Sequence, residues 1–137
     1  MSFKQALVLY LLTLVVFFLI DMVWLGVVAK EFYRRHLGAL LSPKVNWPAA
    51  ALFYLLFICG LLVFAVGPAL QRGAPLHALG LGAFLGLLAY ATYDLSNLAT
   101  LKDWPVIVTV VDLVWGTVLG GSVSFFSALL GRGLLKL

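Results

Sequence analysis

The sequence predicts an all-α integral membrane protein: a four-helix transmembrane bundle with a short amphipathic interfacial helix after the first span. Three observations carry this expectation. Of 137 residues, 64% are hydrophobic, and the mean hydropathy is +1.14. Only 10% are charged, nine Lys or Arg and five Asp or Glu, where a soluble domain carries about a quarter. The charges also cluster, leaving four long stretches almost free of them. This composition excludes a soluble globular domain, a disordered chain and a fibrous repeat.

The first stretch, residues 5–29, holds one charge, Asp21. Residues 45–71 hold none, residues 73–101 only Asp94, and residues 104–131 only Asp112. Each exceeds the roughly 20 residues a helix needs to cross the hydrocarbon core. No alternating pattern suggests a barrel, and the helix is then the structure that satisfies its own backbone in lipid. Spans are expected near 5–28, 48–69, 76–100 and 105–130, within one transmembrane domain, 1–137. The first is too long for a cleaved signal peptide, and no small-residue cleavage site follows it.

Turn chemistry agrees with these limits. Asn46-Trp47-Pro48 offers a cap and a proline suited to a helix start, and Lys102-Asp103-Trp104-Pro105 does the same for the fourth span. Gly67-Pro68 and Gly73-Ala74-Pro75 bracket the second connection. Trp47 and Trp104 are expected at the membrane interface as anchors. Residues 30–42 place Lys30, Glu31, Arg34 and Arg35 on one helical face and Tyr33, Leu37, Leu40 and Leu41 on the other. This reads as an amphipathic helix in the headgroup region, with an ordinary basic loop as the alternative. Arg34 and Arg35 are candidate headgroup-binding residues, by bidentate contact with a phosphate or by general attraction to anionic lipid.

Four spans put both termini on one side, here side A, and the connections 30–47 and 101–104 on side B. Side A carries Lys4, Arg72, Arg132 and Lys136; side B carries Lys30, Arg34, Arg35, Lys44 and Lys102. Five against four leaves the orientation open. The net charge of +4 and pI near 9.5 reflect these connections, where basic residues meet lipid headgroups. Membrane lipid is therefore the expected partner, and nucleic acid is not. Cys59 is the single cysteine, so an intrachain disulfide and a Cys-based metal site are excluded. No metal or cofactor is expected.

At about 1.5 Å per residue, Asp21, Asp94 and Asp112 fall in one layer, roughly 10 Å below the side B surface. Tyr54, Tyr90, Tyr93, Asn97, Trp24 and Trp115 lie at or within about a turn of that layer. A charged side chain at mid-membrane costs roughly 2.5–3.5 kcal/mol on insertion scales, so three acids at one depth call for a function. Ala78, Gly82, Gly86, Tyr90 and Asp94 form one i+4 stripe; Asp112, Gly116, Gly120 and Ser124 form another. Small-residue stripes mark close helix packing, so the acids should face protein. Asp21-Met22-Val23-Trp24 and Asp112-Leu113-Val114-Trp115 are local echoes on helices running in opposite directions.

Carboxylates this close favour a shared proton, suited to general acid/base work or a proton relay. Asp21, Asp94 and Asp112 are thus the candidate catalytic residues, and the six neighbouring aromatic and amide residues are the candidate ligand-binding set. The alternative roles are hydrogen-bonding glue between helices, or oxygen ligands that together with Asn97 hold a hard cation. His36, His77 and Cys59 carry no comparable signal.

The chain resembles the bacterial membrane proteins grouped as domain-of-unknown-function family 2177. The resemblance covers nearly the whole chain. It rests on Asp21-Met22-Val23-Trp24-Leu25-Gly26, Phe32-Tyr33 with Leu37-Gly38, Pro48-Ala49 and Phe53-Tyr54. It continues through Tyr90-Ala91-Thr92-Tyr93-Asp94-Leu95-Ser96-Asn97-Leu98-Ala99-Thr100, Trp104-Pro105 and Val111-Asp112-Leu113-Val114-Trp115-Gly116-Thr117. Ser96 stands where threonine is more usual, which keeps the hydroxyl. The resemblance implies a multi-span protein of a bacterial inner membrane and assigns no catalytic residue.

The residues themselves favour binding or acid/base processing of a lipid-like small molecule, its polar end at the acid layer and its apolar part toward side A. A proton- or cation-coupled transporter acting as a homodimer is the first alternative. It is weakened by the one-sided depth of the acids, since alternating access uses a site near the midplane. A structural subunit, whose glycine stripes pack partner helices, is the second.

Overall fold

The computed structural model describes residues 1–137 and contains helices without strands. Four helices are long and apolar enough to cross a membrane: α1 (Phe3–Val28), α3 (Trp47–Arg72), α4 (Pro75–Thr100) and α5 (Val106–Leu134). A short helix, α2 (Lys30–Leu37), follows the first. At 26 residues each, α1, α3 and α4 reach about 39 Å, enough to pass the hydrocarbon core with a margin at either end.

The helix ends follow from local chemistry. Ser2 caps α1 through a reciprocal pair of bonds with Gln5, at 2.9 and 3.1 Å, which satisfies two orphan amides. The Asn46 side chain accepts from the Ala49 amide at 3.2 Å and starts α3. Pro75 opens α4, where its missing N–H costs nothing. The turn into α5 passes through Asp103, which takes a left-handed φ of 61°, a conformation Asp tolerates better than most residues.

The second span does not end near Pro68, as the sequence suggests. Proline removes an amide and crowds the carbonyl four residues back. Here the chain answers with one π-helical turn, Leu62–Val66, in which the Gly67 amide reaches back five residues to the Leu62 carbonyl. The wider turn carries α3 on to Arg72. Gly73, at φ 64°, then ends it: its amide bonds to Leu70 O and that of Ala74 to Ala69 O. The second connection is thus two residues long, and Arg132 ties it to the end of α5 by a 2.6 Å bond to the Gly73 carbonyl.

α5 lies at the centre of the bundle and α4 packs along it. Gly82 and Gly86 meet Gly116 and Gly120 backbone to backbone. A Cβ at Gly86 would strike the Gly116 carbonyl, and one at Gly120 would strike the Gly82 carbonyl. The two glycine stripes are therefore occupied by each other, as their spacing suggests, and the alternative in which they pack partner helices has no free stripe left to use. Phe17, Phe57, Ile58, Leu61, Leu119 and Val123 form the mid-bundle core, with a second cluster toward side A around Leu9, Val66, Ala69, Ala78 and Ala128.

One side B residue and one side B segment differ from expectation. Trp47 is exposed, but Trp104 is only 7% exposed. Its indole N–H donates to Thr109 Oγ1 at 3.0 Å, and it packs with Leu37 and Val108. It is a core residue where an interface anchor was expected. The amphipathic helix ends at Leu37, short of residue 42, because residues 38–42 turn back: the amides of Leu40 and Leu41 both bond to Leu37 O. Its apolar side, through Leu37, closes onto the bundle beside Trp104, while Leu40 and Leu41 stay exposed.

Candidate functional site

Three buried acids lie toward side B, with Asp21 at 3%, Asp94 at 0% and Asp112 at 7% exposure. Asp21 continues the buried i+4 stripe of α1 through Leu9, Thr13 and Phe17. Asp94 and Asp112 sit above the glycine seam on α4 and α5. The seam sets their spacing, because Tyr90 lies directly over Gly116, with ring carbons where a Cβ would otherwise go. Above that point, large side chains replace glycines on the same stripes and the two helices enclose space.

That space is a cavity of about 200 Å³. Of the residues singled out from sequence, Asp21, Asp112, Tyr54, Tyr90, Tyr93, Trp24 and Trp115 line it. Asp94 and Asn97 do not. Asp94 is fully buried behind the wall, and neither of its carboxyl oxygens has a hydrogen-bond partner. The sequence placed these acids by depth, and depth does not say which way an acid turns around its helix.

Trp24 and Trp115, the aromatic ends of the two sequence echoes, stack face to face with centroids 4.5 Å apart and planes 8° from parallel. The buried Trp115 indole N–H has no hydrogen-bond partner. Tyr54 and Trp115 are the donors that face Asp21, yet no hydrogen bond of standard length and angle closes onto its carboxylate. Tyr54 is braced edge-on against Phe17, at 5.4 Å and 61°.

Tyr33 is the one lining residue with a polar side chain that sequence reasoning missed as a site residue; Leu25, Ala50 and Phe53 complete the wall. Tyr33 comes from α2, outside the long apolar helices, and its hydroxyl donates to Asp112 Oδ1. In turn it accepts from the Trp24 indole at 3.3 Å. Burial, and then the hydrogen bond to Asp112, push the Tyr33 hydroxyl well above the ordinary phenol value, so it remains a donor. The signal available was its place on the apolar face of an amphipathic segment next to Trp24. What brings it back is a π-helical turn at the end of α1, Trp24–Val28, closed by the Ala29 amide on Trp24 O at 2.8 Å. Such turns are frequent at functional sites.

Phe53, Tyr90 and Tyr93 are shared between the cavity and a neighbouring apolar groove completed by Ala89, about 310 Å³ in volume. A recess holding two carboxylates thus adjoins an apolar one. No group of three or more His, Cys, Asp or Glu side chains is gathered in a way that could hold a metal ion. The hard-cation alternative thereby loses its ligand set. Arg34 and Arg35 lie on the outer side of α2; Arg34 pairs with Glu31 at 3.3 Å, both side chains well exposed.

A family model described as a predicted membrane protein (DUF2177) matches residues 6–129. No curated protein and no solved structure matches the chain.

Proposed function

The chain belongs to this family of predicted membrane proteins, and from that premise we propose that it binds a lipid-like small molecule and works on it by proton transfer. The membrane is a bacterial inner membrane. The observation that carries the reading is the pairing of two recesses: a small cavity with two carboxylates and several hydroxyls, sharing Phe53, Tyr90 and Tyr93 with an apolar groove. An amphiphile fits the pair with its polar end in the cavity and its chain along Phe53, Ala89 and Tyr93. Binding sites typically combine an apolar lining with a few convergent polar groups.

The chemistry follows from the two acids' different surroundings. Asp21 accepts no well-formed hydrogen bond and is free to take a proton from the ligand. Asp112 accepts from the Tyr33 hydroxyl and is fixed in orientation by it. One carboxyl accepting while another donates is the acid/base division of labour that isomerisation or hydration needs. α2 lies at the side B interface, Arg34 and Arg35 meet lipid phosphates there, and Tyr33 hangs inward from it.

The test is lipid profiling of cells carrying Asp21→Asn, Asp94→Asn or Asp112→Asn in place of the wild-type chain. A change in one lipid class for Asp21→Asn and Asp112→Asn is the expected result. An unchanged profile in all three overturns the processing step.

A further inference from the structure

We propose that the head group this cavity takes is a cation, an ammonium carried on an alkyl chain, held by Asp21 and Asp112 among the aromatic rings of Trp24, Trp115, Tyr54 and Tyr90 that line it. The inference rests on the lipid-like reading above and goes further, to the charge of the ligand.

The first observation is a missing counter-charge. Asp21 and Asp112 are both more than nine-tenths buried and both line the cavity, yet no Lys, Arg or His is among its eleven lining residues. The one ion pair in the molecule is Arg34–Glu31, on the outer side of α2. All nine Lys and Arg lie near helix ends or in connections. Buried acids in membranes are normally paired with a partner of opposite charge. Here Tyr33 gives Asp112 a neutral donor, and Asp21 has no closed hydrogen bond at all.

The second observation is independent of the acids. Seven of the eleven lining residues are aromatic, and two of them, Trp24 and Trp115, stack into a single slab. Aromatic faces attract cations through their quadrupole, tryptophan most strongly, and boxes of such rings are a recurring solution for quaternary ammonium groups. An anionic head group would be repelled by both acids. A neutral head group would leave them unpaired. The cavity volume, about 200 Å³, is below the roughly 300–1,000 Å³ of drug-sized pockets and suits a head group of a few heavy atoms.

The experiment uses the full chain purified in neutral maltoside micelles, with tryptophan fluorescence as the readout because Trp24 and Trp115 form the wall. Octyltrimethylammonium, octylamine, octyl glucoside and octanoate are titrated separately. Both ammonium probes should produce a saturable change, with the glucoside and octanoate at least about tenfold weaker. Asp21→Asn and Asp112→Asn should reduce that preference for cation over glucoside by a similar factor. The preference is a ratio within one preparation, so partial loss of folded protein does not imitate the effect. Gly80→Ala, outside the cavity lining and with nothing within 4 Å of its added carbon, should retain it. Equal binding of the glucoside overturns the cation and leaves the lipid-like reading standing. Saturable binding by none of the four probes overturns both. Octylamine binding without octyltrimethylammonium would replace the aromatic box with simple hydrogen bonding to the acids.

Discussion

α4 and α5 present two different regions along one pair of stripes. Toward side A the stripes read Gly82, Gly86, Gly116 and Gly120, and the backbones touch. Toward side B the same stripes read Tyr90, Asp94 and Asp112, and the helices wall a cavity. Without a hydrophobic driving force between helices in lipid, close packing and interhelical polar contacts hold a bundle together. The lower region supplies the packing. The upper region places carboxylates in a space from which packing has been withdrawn, and it depends on the lower one to stay assembled. The difference teaches that stability and candidate chemistry are divided by depth, with Tyr90 over Gly116 at the border.

The sharpest way to break this division is at the seam. Gly86→Val or Gly120→Val forces side-chain atoms into the facing backbone, which cannot yield as a flexible side chain would. Losses of about 3 kcal/mol or more are expected, the upper end for overpacking, read as collapse of the thermal melt in detergent. Gly80→Ala is the control, since nothing lies within 4 Å of its added carbon. It should melt at or above the wild-type temperature, through higher helix propensity.

In the upper region the expected effects on stability are smaller. Tyr33→Phe leaves Asp112 without its donor and the Trp24 indole without its acceptor, and should cost about 1–2 kcal/mol in the same melt. Tyr33 stays protonated because its folded value is raised. The wild-type advantage should therefore be flat from about pH 7 to 9 and shrink only as pH rises past about 10, where the unfolded phenol ionises. Trp104→Phe keeps the ring against Leu37 and removes the bond to Thr109. About 1 kcal/mol is the expected loss, typical of a single intramolecular hydrogen bond. Smallest of all, Arg34→Gln breaks only an exposed pair and should change stability by less than about 0.5 kcal/mol.

How much of this was legible depends on the range of the cause. The four apolar helices follow from the spacing of charges, because each span answers to its own composition. The glycine stripes follow from helical period. The continuation of α3 through Pro68 was not legible, since proline normally breaks a helix and the π turn that rescues it has no composition of its own. The burial of Trp104 was hidden for another reason: a tryptophan beside a proline at a helix end looks the same whether it faces headgroups or Leu37. Tyr33 and Asp94 show the limit at the site. Depth along the axis is readable by counting, whereas the angle around it, and the return of a segment from outside the spans, depend on contacts far apart in the chain.

The π turn at Trp24–Val28 has one more consequence. It stores a single surplus residue in the register of the first helix. Deleting one residue there, Gly26 for example, which nothing crowds, would let the turn relax to α-helix. Everything downstream would keep its place, and Tyr33 would still reach Asp112. A deletion past the turn, at Lys30 for example, has no such surplus to absorb it, and α2 would then offer Arg34 where Tyr33 now meets Asp112. The wide turn is slack in the chain's register, present on one side of Ala29 and missing on the other.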